Sequence, residues 1–145
     1  MGALISVAFA IKYPDKVKAL VPINIAFNRS KEAQKGVLNR ANKILQTNKI
    51  LNIEQTLERW FKNKTSVDDL KRIDNVRYWL ANTSPKGYGR AYRLFALSDK
   101  VFLNKLSRLR PPVLYLTGDE DPNSTPAMSQ QMAEETPNGS SNSLI

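Results

Sequence analysis

Met1-Gly2-Ala3-Leu4-Ile5-Ser6-Val7-Ala8-Phe9-Ala10-Ile11-Lys12-Tyr13-Pro14-Asp15-Lys16-Val17 is the stretch that decides the fold. From Ala3 to Tyr13 it is apolar almost all round, the pattern of a helix buried on several sides. Gly2, Ala3, Ala8 and Ala10 are small enough to let that helix lie close against a sheet. Ser6 falls inside the helix, where a small hydroxyl bonds back to the preceding turn. Pro14 stops the helix, because it lacks an N–H and its ring clashes with the turn before it, so Pro14-Asp15 opens a turn. Residues 16–24 then predict a strand. Ala19-Leu20-Val21-Pro22-Ile23 is a short apolar run of the kind found in parallel sheets covered on both faces. Pro22 donates no ladder hydrogen bond, which favours a strand end or a bulge there.

Outward from this segment the texture changes at about Asn28. Ser30 is a candidate N-cap for a helix through about Gln46, with Val37, Leu38, Ala41, Ile44 and Leu45 on one side. Asn52 is placed to cap a second helix carrying Ile53, Leu57, Trp60 and Phe61. Ser66 precedes Asp68 and Asp69, and acidic residues in a first turn favour the helix dipole. That third helix would carry Leu70, Ile73, Val76, Trp79 and Leu80. Pro85 opens a fourth, with Tyr88, Ala91, Tyr92 and Phe95 at helical spacing, and residues 103–109 suggest a short connecting helix. An α/β texture then returns. Pro111-Pro112 breaks the chain, Val113-Leu114-Tyr115-Leu116 reads as a strand, and 117–122 as a turn. Thr125-Pro126 starts a helix through about Glu135. Ser143-Leu144-Ile145 suggests the beginning of a further strand after a Gly-Ser-Ser-Asn-Ser tract.

The 145 residues contain no cysteine and no histidine. Disulfides, thiolate metal sites and histidine-ligated metals are therefore excluded within them, and so is a complete Ser-His-Asp triad. The cysteine count is compatible with a reducing cytoplasm, the expected location. No apolar run approaches the roughly 18–20 residues that span a bilayer, so no membrane is expected as a partner. Ala8-Phe9-Ala10 mimics a signal-peptidase site and Met1-Gly2-Ala3-Leu4-Ile5-Ser6 a myristoylation pattern. The helix reading accounts for the same residues and also for the turn and strand after them. The net charge is +9, and residues 28–110 carry 19 Lys+Arg against 7 Asp+Glu, so the basic excess belongs to the middle of the chain.

Two segments resemble the α/β-hydrolase family, in its branch of small-molecule serine hydrolases with a helical cap (esterases and enol-lactonases). The first is 1–24, where Met1-Gly2 matches the end of a G-x-S-x-G turn. The Tyr13-Pro14-Asp15-Lys16-Val17 phrase with Ala19-Leu20-Val21 is its more specific part. The second is 112–132, where Gly118, Asp121, Pro122, Thr125 and Pro126 match the phrase around the family's catalytic acid. The resemblance implies a partial parallel sheet with an all-helical cap insertion: hydrolase core over 1–27, cap over 28–110, core again over 111–145. It also implies roles. Asp121 would be the acid that orients the catalytic histidine, with Asp119 and Glu120 as rivals and a solvated acidic turn as the plainer reading. Met1 would follow the nucleophile, and in a longer parent chain its backbone N–H would serve the oxyanion hole.

The serine and histidine that the family uses are missing, so the chain is expected to be inactive by itself and to be a piece of an active enzyme. The parent reaction would be Ser-His-Asp hydrolysis of an ester, a lactone or a related small carbonyl compound, with no metal or organic cofactor. By analogy with other capped hydrolases, Trp60, Phe61, Trp79, Tyr88, Tyr92 and Phe95 are candidate pocket residues, although aromatics at helical spacing also make cores. The basic surplus has three readings: a solvated surface, steering of an anionic substrate such as a carboxylate, or nucleic-acid contact. No nucleic-acid motif supports the last. Arg90 and Arg93, beside Tyr88 and Tyr92, are the first candidates to grip a carboxylate. Two rival functions remain: a non-catalytic hydrolase-like binding protein and a basic helical module. An unpaired edge along 16–24 and bare apolar faces predict a marginal or aggregation-prone chain.

Overall fold

Pro22 shapes the sheet by the one hydrogen bond it cannot make. The computed structural model describes residues 1–62, 65–98 and 100–144. Strand β1 (Val113–Gly118) pairs in parallel with β2 (Gly139–Leu144), in register from Val113 opposite Gly139 to Gly118 opposite Leu144. On the other edge of β1 run residues 17–24. There Leu20 and Ile23 form isolated parallel bridges to Val113 and Leu116. Leu20 N donates to Pro112 O at 3.0 Å, Leu114 N to Leu20 O at 2.9 Å, Leu116 N to Pro22 O at 3.2 Å and Asn24 N to Leu116 O at 2.9 Å. A regular parallel ladder would add a bond from the N–H of residue 22 to the Leu114 carbonyl, and proline has no N–H to give. The expected continuous strand over 16–24 is therefore two bridges around a missing rung. Its predicted first residue instead closes a 3₁₀ turn, Pro14–Lys16.

Helix α1 (Gly2–Lys12) buries Leu4, Val7 and Ala10, a single stripe at i, i+3, i+6. This corrects the expectation of burial on several sides: Ile5 is 63% exposed and Phe9 is exposed too. The stripe joins Leu20, Ile25, Phe27, Phe102, Leu106, Leu109, Val113, Tyr115 and Met132 in one hydrophobic core. Met132 comes from α6 (Pro126–Glu134), which packs on β1 and β2 and carries the chain from one to the other. The buried Tyr115 hydroxyl lies 2.9 Å from Thr136 Oγ1, and burial pushes its phenol above the ordinary tyrosine value. Strand β2 begins four residues before the expected Ser143, and Ile145 lies outside the described residues. The expected connecting helix over 103–109 is only a 3₁₀ turn, Leu106–Arg108.

The chain divides into two compact units, Met1–Lys35 with Phe95–Ile145, and Gly36–Leu94. The helical unit lies within the 28–110 cap insertion that the family resemblance implies. Its boundaries fall inside α2 (Lys31–Thr47) and the last helix before β1, α5 (Pro85–Leu97); α3 (Ile53–Trp60) and α4 (Val67–Asn82) lie between them. Ser30 and Ser66 cap as expected, accepting from Ala33 N and Asp69 N at 3.1 Å each. Asn52 does not: it sits left-handed at φ 59° and its side chain makes no cap bond. Asparagine tolerates that backbone region, which fits a turn between α2 and α3. Arg77 joins α4 to α3 through Glu54 at 2.8 and 3.0 Å, and this bond holds the Glu54 carboxyl below its ordinary value. Of the apolar residues carried by α4, Leu80 is buried, whereas Leu70 is exposed and Trp79 is 64% exposed. No described helix is long and apolar enough to cross a membrane.

Gly139 starts β2 where a side chain has no room. A Cβ there would meet the Ala133 carbonyl oxygen at 2.4 Å and Thr136 Cβ at 2.8 Å, whereas one at Gly118 would meet nothing within 4 Å. Backbone cannot swing aside as a side-chain tip can. Gly139→Ala should therefore cost about 1–3 kcal/mol of stability and Gly118→Ala far less, as read by thermal melts of the two variants. Equal melting points would contradict this packing.

Candidate functional site

The end of β1 presents a carboxylate that is held rather than free. Thr117, buried, donates through Oγ1 to Ser124 O at 2.5 Å, and Asp121 N donates to Gly118 O at 3.1 Å. These bonds fold the turn after the strand back on itself. Inside it, Asp121 Oδ1 accepts from Asn123 N at 2.8 Å and Ser124 N at 3.1 Å. Its Oδ2 accepts from Ser124 Oγ at 2.8 Å and from Asn24 Nδ2 at 2.6 Å. Aspartate followed by two N–H groups in this manner is a local turn that the side chain itself builds. A carboxylate offers about four lone-pair sites, and all four are filled. A further donor can bind Oδ2 only by displacing one of its partners. Asn24 is the exchangeable one, since its side chain is exposed and reaches in from a segment 97 residues away.

The two rivals differ. Asp119 and Glu120 are exposed at the turn's outer edge, and Asp119 contributes its backbone N–H, to Leu144 O at 2.9 Å. Asp121 is anchored by both backbone and side chains. Thr125 then caps α6 through Oγ1, with Pro126 at the first helical position, so the Thr-Pro helix start stands where it was expected.

The other candidates are scattered over both units. Met1 is the exposed N-cap residue of α1, its carbonyl accepting from Ile5 N at 3.2 Å. Ser6 Oγ donates to Ala3 O at 2.9 Å, the structural bond expected of it. Trp60, at the end of α3, and Trp79, on α4, are exposed, and so are Arg90 and Arg93 on α5. Tyr88 and Tyr92 are brought together, their rings stacked 5.7 Å apart at 16°. Phe95 falls in the first unit, against the hydrophobic core, with the buried Arg29 guanidinium 4.2 Å over its ring. Arg29 also donates to the Phe95 carbonyl at 2.8 Å.

Sequence reasoning missed Ser124 and Asn24. The Asp-Pro-Asn-Ser order is itself an aspartate-turn signal that could have found Ser124. Asn24 left no local sign, because its link to Asp121 crosses most of the chain.

Comparison with known proteins bears on this arrangement. Residues 1–143 match the family described as alpha/beta hydrolase fold. A curated relative, the (E)-2-((N-methylformamido)methylene)succinate hydrolase of Acinetobacter baylyi, is 37% identical over 139 residues, which is 96% of this chain and 51% of that protein. Among solved structures, the enol-lactonase of Burkholderia xenovorans superposes with a TM-score of 0.79 at 20% identity, over 99% of this chain and 54% of that one. A thermophilic esterase of Thermogutta terrifontis, determined with malate bound, gives a TM-score of 0.73 at 25% identity, over 99% and 53%. The chain thus spans about half the length of the curated relative it matches.

Proposed function

The chain belongs to the α/β-hydrolase fold family, and from that premise we propose that its 145 residues carry the acid of a Ser-His-Asp hydrolase acting on a small carbonyl compound. One observation carries the reading. Asp121 stands directly after a parallel strand, where α/β proteins place functional groups, with its carboxylate fixed by four donors. In that role Oδ2 accepts the histidine Nδ1–H, displacing the Asn24 amide. It thereby holds the imidazole in the tautomer that takes the serine's proton, and it stabilises the imidazolium that results. The serine attacks the carbonyl, backbone amides hold the oxyanion, and water releases the acyl group. The N–H of Met1 joins that oxyanion hole when a peptide bond precedes it.

The substrate is an ester, a lactone or a related compound bearing a carboxylate. The curated relative's name supports this, since it specifies a succinate derivative. No metal or organic cofactor takes part. The cytoplasmic expectation stands beside this reading, since a chain without cysteine gains nothing from an oxidising compartment.

The direct test is a chimera in which the matched segment of the Acinetobacter relative is replaced by residues 1–143 of this chain. A folded chimera that turns over that relative's substrate supports the reading, and a folded, monodisperse but inert chimera refutes it. The 145-residue chain alone contains no histidine. It should show no saturable ester or lactone turnover, because removing the serine or the histidine of a triad costs roughly 10⁶-fold in rate. Stopped assays with activated esters check this.

A further inference from the structure

Within the helical unit, a cleft of about 340 Å³ opens between α2 and α3, the size range of small-molecule sites. Arg40 and Lys43 line it from successive turns of α2, Thr56 and Arg59 from successive turns of α3 and Asn52 from the turn before α3, with the buried Ile44 as part of its floor. Three cations line the cleft and, among the described residues, no carboxylate does. None of the three forms an ion pair among the described residues.

The cations of the neighbouring helix α4 are paired instead. On α4, Lys71 faces Asp68, Arg72 faces Asp69 and Arg77 faces Asp74, each pair at i, i+3. Cations gathered around a concavity without acids repel one another, and a bound anion relieves that repulsion.

Arg40 is also pre-oriented. Its Nη2 donates to Thr56 Oγ1 at 2.6 Å, the buried Thr56 hydroxyl donates in turn to Asn52 O at 2.9 Å, and the guanidinium lies 5.6 Å over the Tyr92 ring. Every partner is neutral, so the positive charge stays uncompensated while the side chain is held. Burial raises the Tyr88 phenol above its ordinary value, and the positive charges of Arg40 and Arg59 oppose that rise.

We propose that this α2–α3 cleft binds a small organic dicarboxylate, its carboxylates held by Arg40, Lys43 and Arg59 and its carbon stem against Ile44 and Leu51. Two carboxylates match three cations better than one does. The apolar floor favours a carbon skeleton over a bare inorganic anion, and no aromatic residue lines the cleft as a platform for nucleic-acid bases. The site lies in the helical unit alone and its test needs no turnover, so its failure and that of the triad reading are separable.

The experiment titrates succinate into the 145-residue chain at low ionic strength, followed by calorimetry and by amide NMR shifts, with uncharged succinamide and inorganic phosphate as further probes. Saturable succinate binding is expected, with amide shifts clustered in α2 and α3 and no response to succinamide. The Lys43→Gln/Arg59→Gln double variant should raise Kd about tenfold or more, with the thermal melt unchanged because both side chains are exposed. Arg40→Gln should weaken binding in the same direction. Absence of saturable binding by the folded chain, or an equal Kd in the double variant, overturns the site. Phosphate binding as tightly as succinate overturns the dicarboxylate assignment. If the chain self-associates, the same titration is read on the hydrolase chimera.

Discussion

Asp121→Asn in the chimera is expected to lower kcat by about 10⁴-fold while leaving the protein folded. Asparagine keeps one acceptor oxygen for the N–H groups of Asn123 and Ser124, so the turn after β1 persists. What changes is the other atom. It becomes a donor facing Ser124 Oγ and the Asn24 amide, where Asp121 Oδ2 now accepts from both. A histidine Nδ1–H arriving there finds no acceptor, and the tautomer able to take the serine's proton is no longer favoured. The melting point should fall by only a few degrees. If Asp121 merely ties the turn, activity would instead track the folded fraction, and a modest loss of stability would bring an equally modest loss of rate. Asp119→Asn and Glu120→Gln are the internal controls. Both acids lie at the exposed outer edge of the turn, and each replacement should leave kcat within about twofold, as surface substitutions usually do. A 10⁴-fold loss at either position, with Asp121→Asn active, would move the acid to that residue.

Local rules make most of the elements legible in the sequence. Ser30, Ser66 and Thr125 each bond the N–H three residues on, and Pro14 and Pro126 stand at the boundaries their missing N–H requires. Legibility fails where a residue's fate depends on distant partners. Pro22 signals a weakened strand, but only the register against Val113 and Leu116 shows which rung is lost. Residues 139–142 are Gly-Ser-Ser-Asn, with no apolar alternation and poor intrinsic β preference. They are a strand because β1 offers them an edge. Arg90 and Arg93 draw attention by lying beside tyrosines in sequence, whereas the cations that share a cleft, Arg40, Lys43 and Arg59, come from two helices whose meeting no local pattern announces.

Phe27→Ala is expected to be the most damaging single truncation, and its contrast with Trp79→Ala separates packing from mere aromatic content. Phe27 is fully buried, at 0% exposure, in the core formed by α1, β1 and α6. Removing its ring forfeits the transfer free energy of the lost atoms and leaves a cavity that the surrounding core closes only in part, a cost of about 3–5 kcal/mol. Against a whole-domain stability of roughly 5–15 kcal/mol, that is a large fraction, and it corresponds to a drop of about 10–20 °C in Tm for a chain of this size. Trp79 carries more apolar surface, and helical spacing in the sequence marks it as core. Its exposure predicts that Trp79→Ala changes stability by no more than about 0.5 kcal/mol. The probes can be kept apart. Both tryptophans lie in the helical unit, so their fluorescence follows that unit, while hydrogen exchange at the β1 amides follows the unit that holds Phe27. Phe27→Ala should accelerate exchange at the amides of Tyr115 and Thr117, whose partners lie across the β1–β2 ladder. A Phe27→Ala melt within about 3 °C of the unmodified chain, less than even the 3 kcal/mol lower bound allows, would mean that this side chain does not sit in the core between α1, β1 and α6.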